Sequence, residues 1–86
     1  MSDILMYTTA VCPYCVAAKN FLTARGLSYR ELRIDQDAEA LTAMRTRSGR
    51  TSVPQIFVNG THVGGFDDLV ALDRAGKFTA LLESVA

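Results

Sequence analysis

The sequence lacks an excess of charge of either sign. Nine lysine and arginine residues balance nine aspartate and glutamate residues, so the formal net charge at pH 7 is zero. Proteins that bind nucleic acids usually carry a basic patch or stripe, so we do not expect a nucleic-acid partner. Hydrophobic residues make up 49% of the chain, which excludes the composition typical of disordered proteins.

Long hydrophobic runs are also missing. The N-terminal segment MSDILMYTTAV contains Asp3, has no basic residue and has only a short apolar run, so we expect neither a signal peptide nor a membrane span. The 86 residues contain no repeat, linker or low-complexity segment. We therefore expect a single domain over residues 1–86, a monomer without a membrane partner, located in the cytoplasm.

Cysteine and histidine are scarce, which restricts the chemistry open to the chain. The two cysteines, Cys12 and Cys15, stand in the segment VCPYC, and the one histidine is His62. Zinc takes four ligands, so we expect no metal site within one chain and no tightly bound cofactor. A lasting disulfide is rare in the cytosol, and one that closes so small a loop stabilises little. The pair therefore indicates redox chemistry rather than a structural crosslink.

Hydrophobic periodicity and turn residues predict the element order βαβαββα, followed by a short closing helix. A strand, a helix and a strand in succession require a right-handed parallel crossover, to which a hairpin adds an antiparallel pair. The result is an α/β fold with a four-stranded mixed sheet flanked by helices. The predicted elements are a strand ILMYT, a helix from Pro13 stopped by Gly26, a strand within SYRELRID, a helix within QDAEALTAMRTRSG, a hairpin of QIFV and THVG around Asn59-Gly60, and helices over 67–75 and about 77–85.

Apolar positions at helical spacing indicate the first two helices. Met44 and Phe57 are expected in the core. The pattern positions are Val16, Ala17, Phe21 and Ala24 in the first helix, and Ala40, Leu41 and Met44 in the second.

The cysteine pair is placed where the first strand ends and the first helix begins. Cys12 falls at or just before the helix start, where unpaired N–H groups and the helix dipole stabilise an anion. Cys15 lies one turn further on the same face and points toward the core. We therefore expect Cys12 to attack as a thiolate and Cys15 to act as the resolving thiol. A thiolate stabilised in this way is also a good leaving group, which favours turnover.

Three motifs closely resemble the dithiol glutaredoxins, especially the small bacterial type with a CPYC active site. They are CPYC after a strand, SGRTSVPQIF, and VGGFDDLVALDRAGK. The resemblance implies a thioredoxin-like fold, with the sheet in the order second, first, third and fourth strand. It also implies a glutathione-disulfide oxidoreductase, with glutathione as reducing co-substrate. Its partners would be glutathione and disulfide-containing or glutathionylated proteins.

The resemblance also implies a glutathione-binding site. Ser52-Val53-Pro54 is similar to the family's Thr-Val-Pro segment, in which the proline is cis and the preceding backbone pairs with the glutathione cysteine. A helix beginning near Asp67 would offer N–H groups to the γ-glutamyl carboxylate, and an aspartate there can take the ligand's ammonium. The implied contacts are Tyr14 in the groove beside Cys12, Val53, Pro54, Asp67 and Asp68.

Two positions depart from the family pattern. Many relatives place lysine three residues before the first cysteine, where this chain has Thr9, and arginine or glutamine where it has Leu41. Arg45 lies one turn beyond Leu41 and is a candidate replacement. These departures keep one alternative open, an electron carrier recharged by a flavoprotein reductase. The cysteine pair itself leaves a second, a dimer that shares an iron-sulfur cluster.

Four further polar residues have structural interpretations. His62 is expected to be a solvated residue on the edge of the hairpin. Cations near the end of the second helix complement its dipole. They are Arg45, Arg47 and Arg50.

Overall fold

The structure is a computed structural model, and it describes residues 3–83. The predicted end of the last helix, Val85, lies outside that range. Over residues 3–83, no helix is long and apolar enough to cross a membrane. The elements are β1 (Ile4–Thr8), α1 (Pro13–Ala24), β2 (Arg30–Arg33), α2 (Ala38–Ser48), β3 (Gln55–Val58), β4 (Thr61–Gly64), α3 (Phe66–Arg74) and α4 (Lys77–Glu83).

The four strands form one mixed sheet in the order β2-β1-β3-β4. β1 pairs with β2 in parallel and with β3 in antiparallel orientation, and β3 pairs with β4 as a hairpin. This arrangement confirms the predicted four-stranded mixed sheet and the strand order that the family resemblance implied. It also places β1, whose five residues are all buried, in the interior of the sheet.

Helices cover both faces of the sheet, which explains why β1 is apolar throughout. On one face, side chains of β1 and β3 pack against α1, α3 and α4; on the other, they pack against α2. Met44 and Phe57 belong to the second cluster, as expected. The buried residues are Ile4, Met6, Ala18, Leu22, Ile56, Val58, Leu69 and Phe78 on the first face, and Leu5, Tyr7, Ala40, Met44 and Phe57 on the second.

The buried face of α1 differs from the apolar positions that indicated the helix. Cys15, Ala18 and Leu22 are buried, whereas Val16 is 54% exposed. Apolar residues occur around most of this helix, so hydrophobic spacing predicts the helix without fixing its rotation. The sheet sets the rotation instead, because the side chains that face it are the ones that lose water.

The β3–β4 hairpin turns through Asn59 and Gly60, as predicted. Both have positive φ angles, 50° and 83°, which a two-residue type I′ turn requires. The pairing register shifts between Ile56 and Phe57, so β4 carries a bulge. The sequence pattern did not predict this bulge. α3 begins at Phe66, one residue earlier than expected, directly after the hairpin.

Asp37 caps the N-terminus of α2. Its Oδ1 accepts hydrogen bonds from the backbone N–H groups of Glu39 at 3.0 Å and Ala40 at 3.4 Å. We expect Asp37→Ala to lower the free energy of unfolding by about 1 kcal/mol, because two helix N–H groups lose their acceptor. Asp37→Asn retains an acceptor oxygen and should cost much less. Urea denaturation of both variants in reducing buffer measures the difference, and equal losses would contradict the capping role.

Candidate active site

Cys12 is the N-cap residue of α1. Its backbone is extended, with φ −152° and ψ 98°, and its Sγ accepts a hydrogen bond from the backbone N–H of Cys15 at 3.1 Å. Pro13 occupies the first helical position, where a missing N–H costs no hydrogen bond. The sulfur thus takes the place of the oxygen that usually caps a helix, at the end where the dipole favours negative charge.

The two cysteines form a disulfide in this structure, with their Cα atoms 5.1 Å apart. They are not equally accessible. Cys15 is 1% exposed and faces the core, whereas Cys12 is 9% exposed at the protein surface. The predicted placement of an outer and an inner sulfur is therefore confirmed.

The segment Ser52-Val53-Pro54 lies opposite the cysteine pair. The Val53–Pro54 peptide bond is cis, as the family resemblance implied. The carbonyl oxygen of Val53 lies 3.8 Å from Cys12 Sγ. The backbone before the proline is therefore in contact with the outer sulfur.

The N-terminus of α3 brings a carboxylate to the same side of the molecule. Asp68 Oδ2 accepts a hydrogen bond from the Gly65 N–H at 2.9 Å and an ion-pair contact from Arg50 Nη1 at 3.0 Å. The Gly65 N–H, followed by the Arg50 guanidinium, holds the pKa of Asp68 below its ordinary value. Gly64 has φ 118°, and a Cβ there would lie 2.8 Å from Asp68 Cγ, so this close approach requires glycine.

A cavity of about 290 Å³ joins these parts beside Cys12. All the residues that the resemblance implied as glutathione contacts line it. Arg50 also lines it, although the sequence indicates for that residue only a role at the end of the second helix. Its position shortly before Val53 in the chain was the available signal. The lining residues are Tyr14, Arg50, Ser52, Val53, Pro54, Gly65, Phe66, Asp67 and Asp68.

Arg45 and Leu41 do not belong to this cavity lining. Leu41 packs against the core on the α2 face of the sheet, and Arg45 lies exposed in the last turn of α2. The cation at the cavity is therefore Arg50, not Arg45. Arg45 and Arg47 do lie in the last turn of the helix, as expected.

A larger cavity of about 410 Å³ lies between β4, α3 and α4. It is mostly apolar, and neither cysteine lines it. We assign the candidate active site to the smaller cavity, because its lining combines charged groups with Val53, whose carbonyl oxygen contacts Cys12 Sγ. Among residues 3–83, no cluster of three or more His, Cys, Asp or Glu side chains is arranged to hold a metal ion.

The loop that leads into Cys12 is held by Asp35. Its Oδ2 accepts from the Ala10 N–H at 3.1 Å, and Arg33 pairs with both carboxylate oxygens at 2.7 Å. The hydrogen bonds from Arg33 lower the pKa of Asp35 to about 2, so the group is a carboxylate at neutral pH. An Asp35–Arg33 ion pair therefore lies next to the loop that contains Thr9.

His62 is not the solvated edge residue that we expected. It is half-buried, its Nε2 lies 2.8 Å from Gln55 Oε1, and its ring lies 4.9 Å from the Phe57 ring. The bulge in β4 accompanies this inward placement. Arg47 covers the same aromatic ring at 4.2 Å, and its Nη1 donates to Tyr7 Oη.

The cysteine pair at a helix start, the adjoining cis-proline segment and the sheet order together define a thiol oxidoreductase of the thioredoxin-like fold. Comparison with known proteins narrows this class. The family model described as Glutaredoxin matches residues 4–63, which is more than half of the chain. The chain therefore belongs to the glutaredoxin family, which confirms the resemblance in its motifs.

Individual relatives agree with the family assignment. The chain is 46% identical over 84 residues to a glutaredoxin of Pseudomonas aeruginosa, covering 98% of this chain and 100% of the relative. It is 48% identical over 83 residues to glutaredoxin 3 of Escherichia coli, with coverage of 96% and 100%.

Solved structures show the same fold. A Brucella melitensis glutaredoxin superimposes with a TM-score of 0.80 at 44% identity, covering 93% of this chain and 87% of that one. A buckwheat glutaredoxin, solved as a glutathione complex, gives a TM-score of 0.85 at 25% identity, with coverage of 99% and 83%.

The ion pair between Arg50 and Asp68 makes a prediction about titration. We expect Arg50→Met to raise the pKa of Asp68 but to leave it below the ordinary value, because the Gly65 N–H remains bonded to the carboxylate. A carboxyl with a depressed pKa stabilises the fold at pH values above its unfolded pKa, and that contribution is lost as pH falls through the folded value. The variant should therefore lose less stability on acidification than the parent.

Carboxyl chemical shifts followed by NMR between pH 6 and pH 2 measure this titration. Arg47→Met is the matched control, because it removes a guanidinium that contacts Phe57 instead of Asp68. An Asp68 titration that is unchanged in Arg50→Met would show that the ion pair does not form in solution.

Proposed function

We propose that the protein is a glutathione-dependent thiol-disulfide oxidoreductase that reduces protein disulfides and glutathione mixed disulfides. The observation that carries this proposal is the cavity beside Cys12, which gathers the backbone of the cis-proline segment, two carboxylates and a cation within one site. The glutathione complex of the buckwheat relative supports the choice of co-substrate.

The cavity offers a group for each part of glutathione. The backbone at Val53 pairs with the peptide of the ligand's cysteine, which places the ligand sulfur near Cys12. Asp67 and Asp68 take the ammonium of the γ-glutamyl group. Its carboxylate is bound by the N–H groups at the start of α3 and by Arg50. Tyr14 forms the side of the cavity next to the reacting sulfur.

The reaction begins with the reduced protein. The Cys12 thiolate attacks a sulfur of the substrate disulfide, a new S–S bond forms to Cys12, and the other substrate sulfur leaves as a thiolate that takes a proton. With a protein substrate, the Cys15 thiolate then attacks Cys12 Sγ. The second substrate thiol is released, and the Cys12–Cys15 disulfide of this structure is formed.

With a glutathionylated substrate, Cys12 takes the glutathione itself, and the protein thiol leaves. The thiolate of a second glutathione attacks the bound glutathione sulfur, which releases glutathione disulfide and the Cys12 thiolate. This route does not use Cys15. Hydrogen bonding at the helix start stabilises Cys12 as the leaving thiolate, which accelerates this last step.

Apolar side chains surround the reactive sulfur and suit contact with a protein substrate. Val11 is 90% exposed and Tyr14 60% exposed, and Val16 lies nearby on α1. Disulfide-containing and glutathionylated proteins are the partners we propose, and the protein acts as a monomer. A reducing cytoplasm, where glutathione keeps thiols reduced, is the location we propose.

A coupled assay tests the proposed function directly. Reduced protein is mixed with a small glutathione mixed disulfide, glutathione, glutathione reductase and NADPH, and NADPH consumption is followed. We expect turnover that requires glutathione. Reduction by a flavoprotein reductase with no turnover on glutathione would favour the electron-carrier alternative. A visible absorption spectrum of the protein as purified would reveal an iron-sulfur cluster.

The two cysteines should differ in this assay. Cys12→Ser removes the attacking sulfur, and we expect its activity to fall to background. Cys15→Ser should keep turnover on glutathione mixed disulfides, because that route needs only Cys12 and free glutathione, and it should lose activity on protein disulfides. A Cys15→Ser protein that is folded but inactive on glutathione mixed disulfides would contradict the monothiol route.

Thr9→Lys should strengthen both glutathione binding and thiolate formation. A lysine ammonium near Cys12 favours the anion and offers a partner to the glycyl carboxylate of glutathione. We expect a modest effect, within a few fold in KM for glutathione, because solvent screens the charge and fixing a flexible lysine costs side-chain entropy.

The measurements are steady-state kinetics at two salt concentrations and the rate of iodoacetamide alkylation against pH. Thr9→Met is the control, because it has a side chain of similar length without charge. Both effects should shrink as salt rises. If Thr9→Lys and Thr9→Met behave alike, position 9 does not act on the ligand through charge.

A further inference from the structure

Gln55 is a polar side chain at a position without solvent exposure, the first residue of β3. Its amide nitrogen Nε2 donates to the Ser52 carbonyl oxygen at 3.0 Å and lies 3.3 Å from Ser52 Oγ. Its carbonyl oxygen Oε1 lies 2.8 Å from His62 Nε2. Each polar atom of this buried amide therefore has a partner, and the three residues form one chain of hydrogen bonds.

The Ser52 end of these hydrogen bonds decides which atoms donate and which accept. A backbone carbonyl only accepts, so the Gln55 amide nitrogen must face Ser52 and the amide oxygen must face His62. His62 Nε2 must then carry the proton that it donates. The neutral imidazole protonated at Nε2 and the imidazolium both have this proton, so the hydrogen bonds survive titration of the ring.

His62 is held in place from the other side. Its ring packs against Phe57 with an interplanar angle of 35°, and the two residues are paired across β3 and β4. Burial, followed by the nearby Arg50 charge, lowers the pKa of His62. The histidine is thus a fixed donor anchored on the hairpin.

The other end of the chain reaches a segment that lacks regular support. Ser52 and Val53 form a bend outside the helices and strands, and Ser52 is exposed. No ladder of strand hydrogen bonds orients this backbone. The hydrogen bonds from Gln55 supply a fixed point next to the Val53 carbonyl that contacts Cys12 Sγ.

We infer that His62 and Gln55 are positioning residues for the bound substrate. The hydrogen bonds from His62 to Gln55 and from Gln55 to Ser52 link the hairpin to the Ser52-Val53 backbone. They orient the peptide groups of that segment so that these can pair with the glutathione peptide. This inference rests on the proposed function, and it assigns a role in that function to two side chains that do not line the cavity.

The test compares two replacements of His62. His62→Phe keeps a ring that can stack on Phe57 but removes the donor, whereas His62→Gln keeps an N–H donor. We expect His62→Phe to raise KM for a glutathionylated peptide about three- to tenfold with kcat changed less than twofold, the effect of one lost orienting hydrogen bond. His62→Gln should restore much of the parent KM. Thermal unfolding of each variant shows whether it is folded.

A double-mutant cycle tests whether His62 acts on the Ser52-Val53 backbone through Gln55. Gln55→Met removes the middle of the chain, and in that background His62→Phe should raise KM no further. Should Gln55→Met fail to fold, the His62→Phe and His62→Gln pair still decides the question. Variants that lose thermal stability but keep the parent KM would overturn the inference and leave the proposed function intact. A parent protein without glutathione turnover would overturn the proposed function first, and the inference with it.

Discussion

The site depends on one constraint: Cys12 must cap α1 with its sulfur. An N-cap residue lies just before the helix, in extended backbone, with its side chain directed at free N–H groups. Cys12 has that conformation, and the Cys15 N–H donates to its sulfur. The chain reaches this point from β1, an interior strand buried on both faces. The position of the sulfur is therefore set by a fully buried interior strand, and Cys15, one turn later, is directed into the core.

Charged side chains line the side of the cavity opposite Cys12. Asp68 is engaged by Arg50 and by the Gly65 N–H, and both Arg50 and Asp68 have side chains close to half exposed. Ion pairs at such exposure contribute about 0 to 1 kcal/mol, so a ligand ammonium can replace the guanidinium at small cost. The released guanidinium can then meet a ligand carboxylate. The ion pair is therefore compatible with the proposed binding of a zwitterionic ligand at this end of the cavity.

Local signals predicted most of the elements, and tertiary contacts explain what they missed. Asn59-Gly60 predicts the hairpin because the turn itself needs positive φ angles. Pro13 marks the start of α1 because its fixed φ suits a helix and the N–H that it lacks would have no partner there. The ion pair of Arg50 with Asp68 joins residues far apart in sequence, and no periodicity contains it. His62 was placed wrongly for the same reason, since the bulge and Gln55 decide its burial. The glutathione contacts came from the family resemblance, and their role stays a prediction.

The accessibility of the sulfur limits which substrates can reach it. Cys12 shows little surface, while the neighbouring Val11 and Tyr14 are among the most exposed large apolar side chains of the described chain. If folded proteins are substrates, as proposed, each must present its disulfide on a protruding segment and cover these side chains to bring sulfur to sulfur. Under the proposed function, a glutathionyl group would approach along the cavity, where the backbone at Val53 already lies against Cys12. The proposed function therefore implies that attack on a glutathione mixed disulfide needs less rearrangement of the substrate than attack on a disulfide within a folded protein.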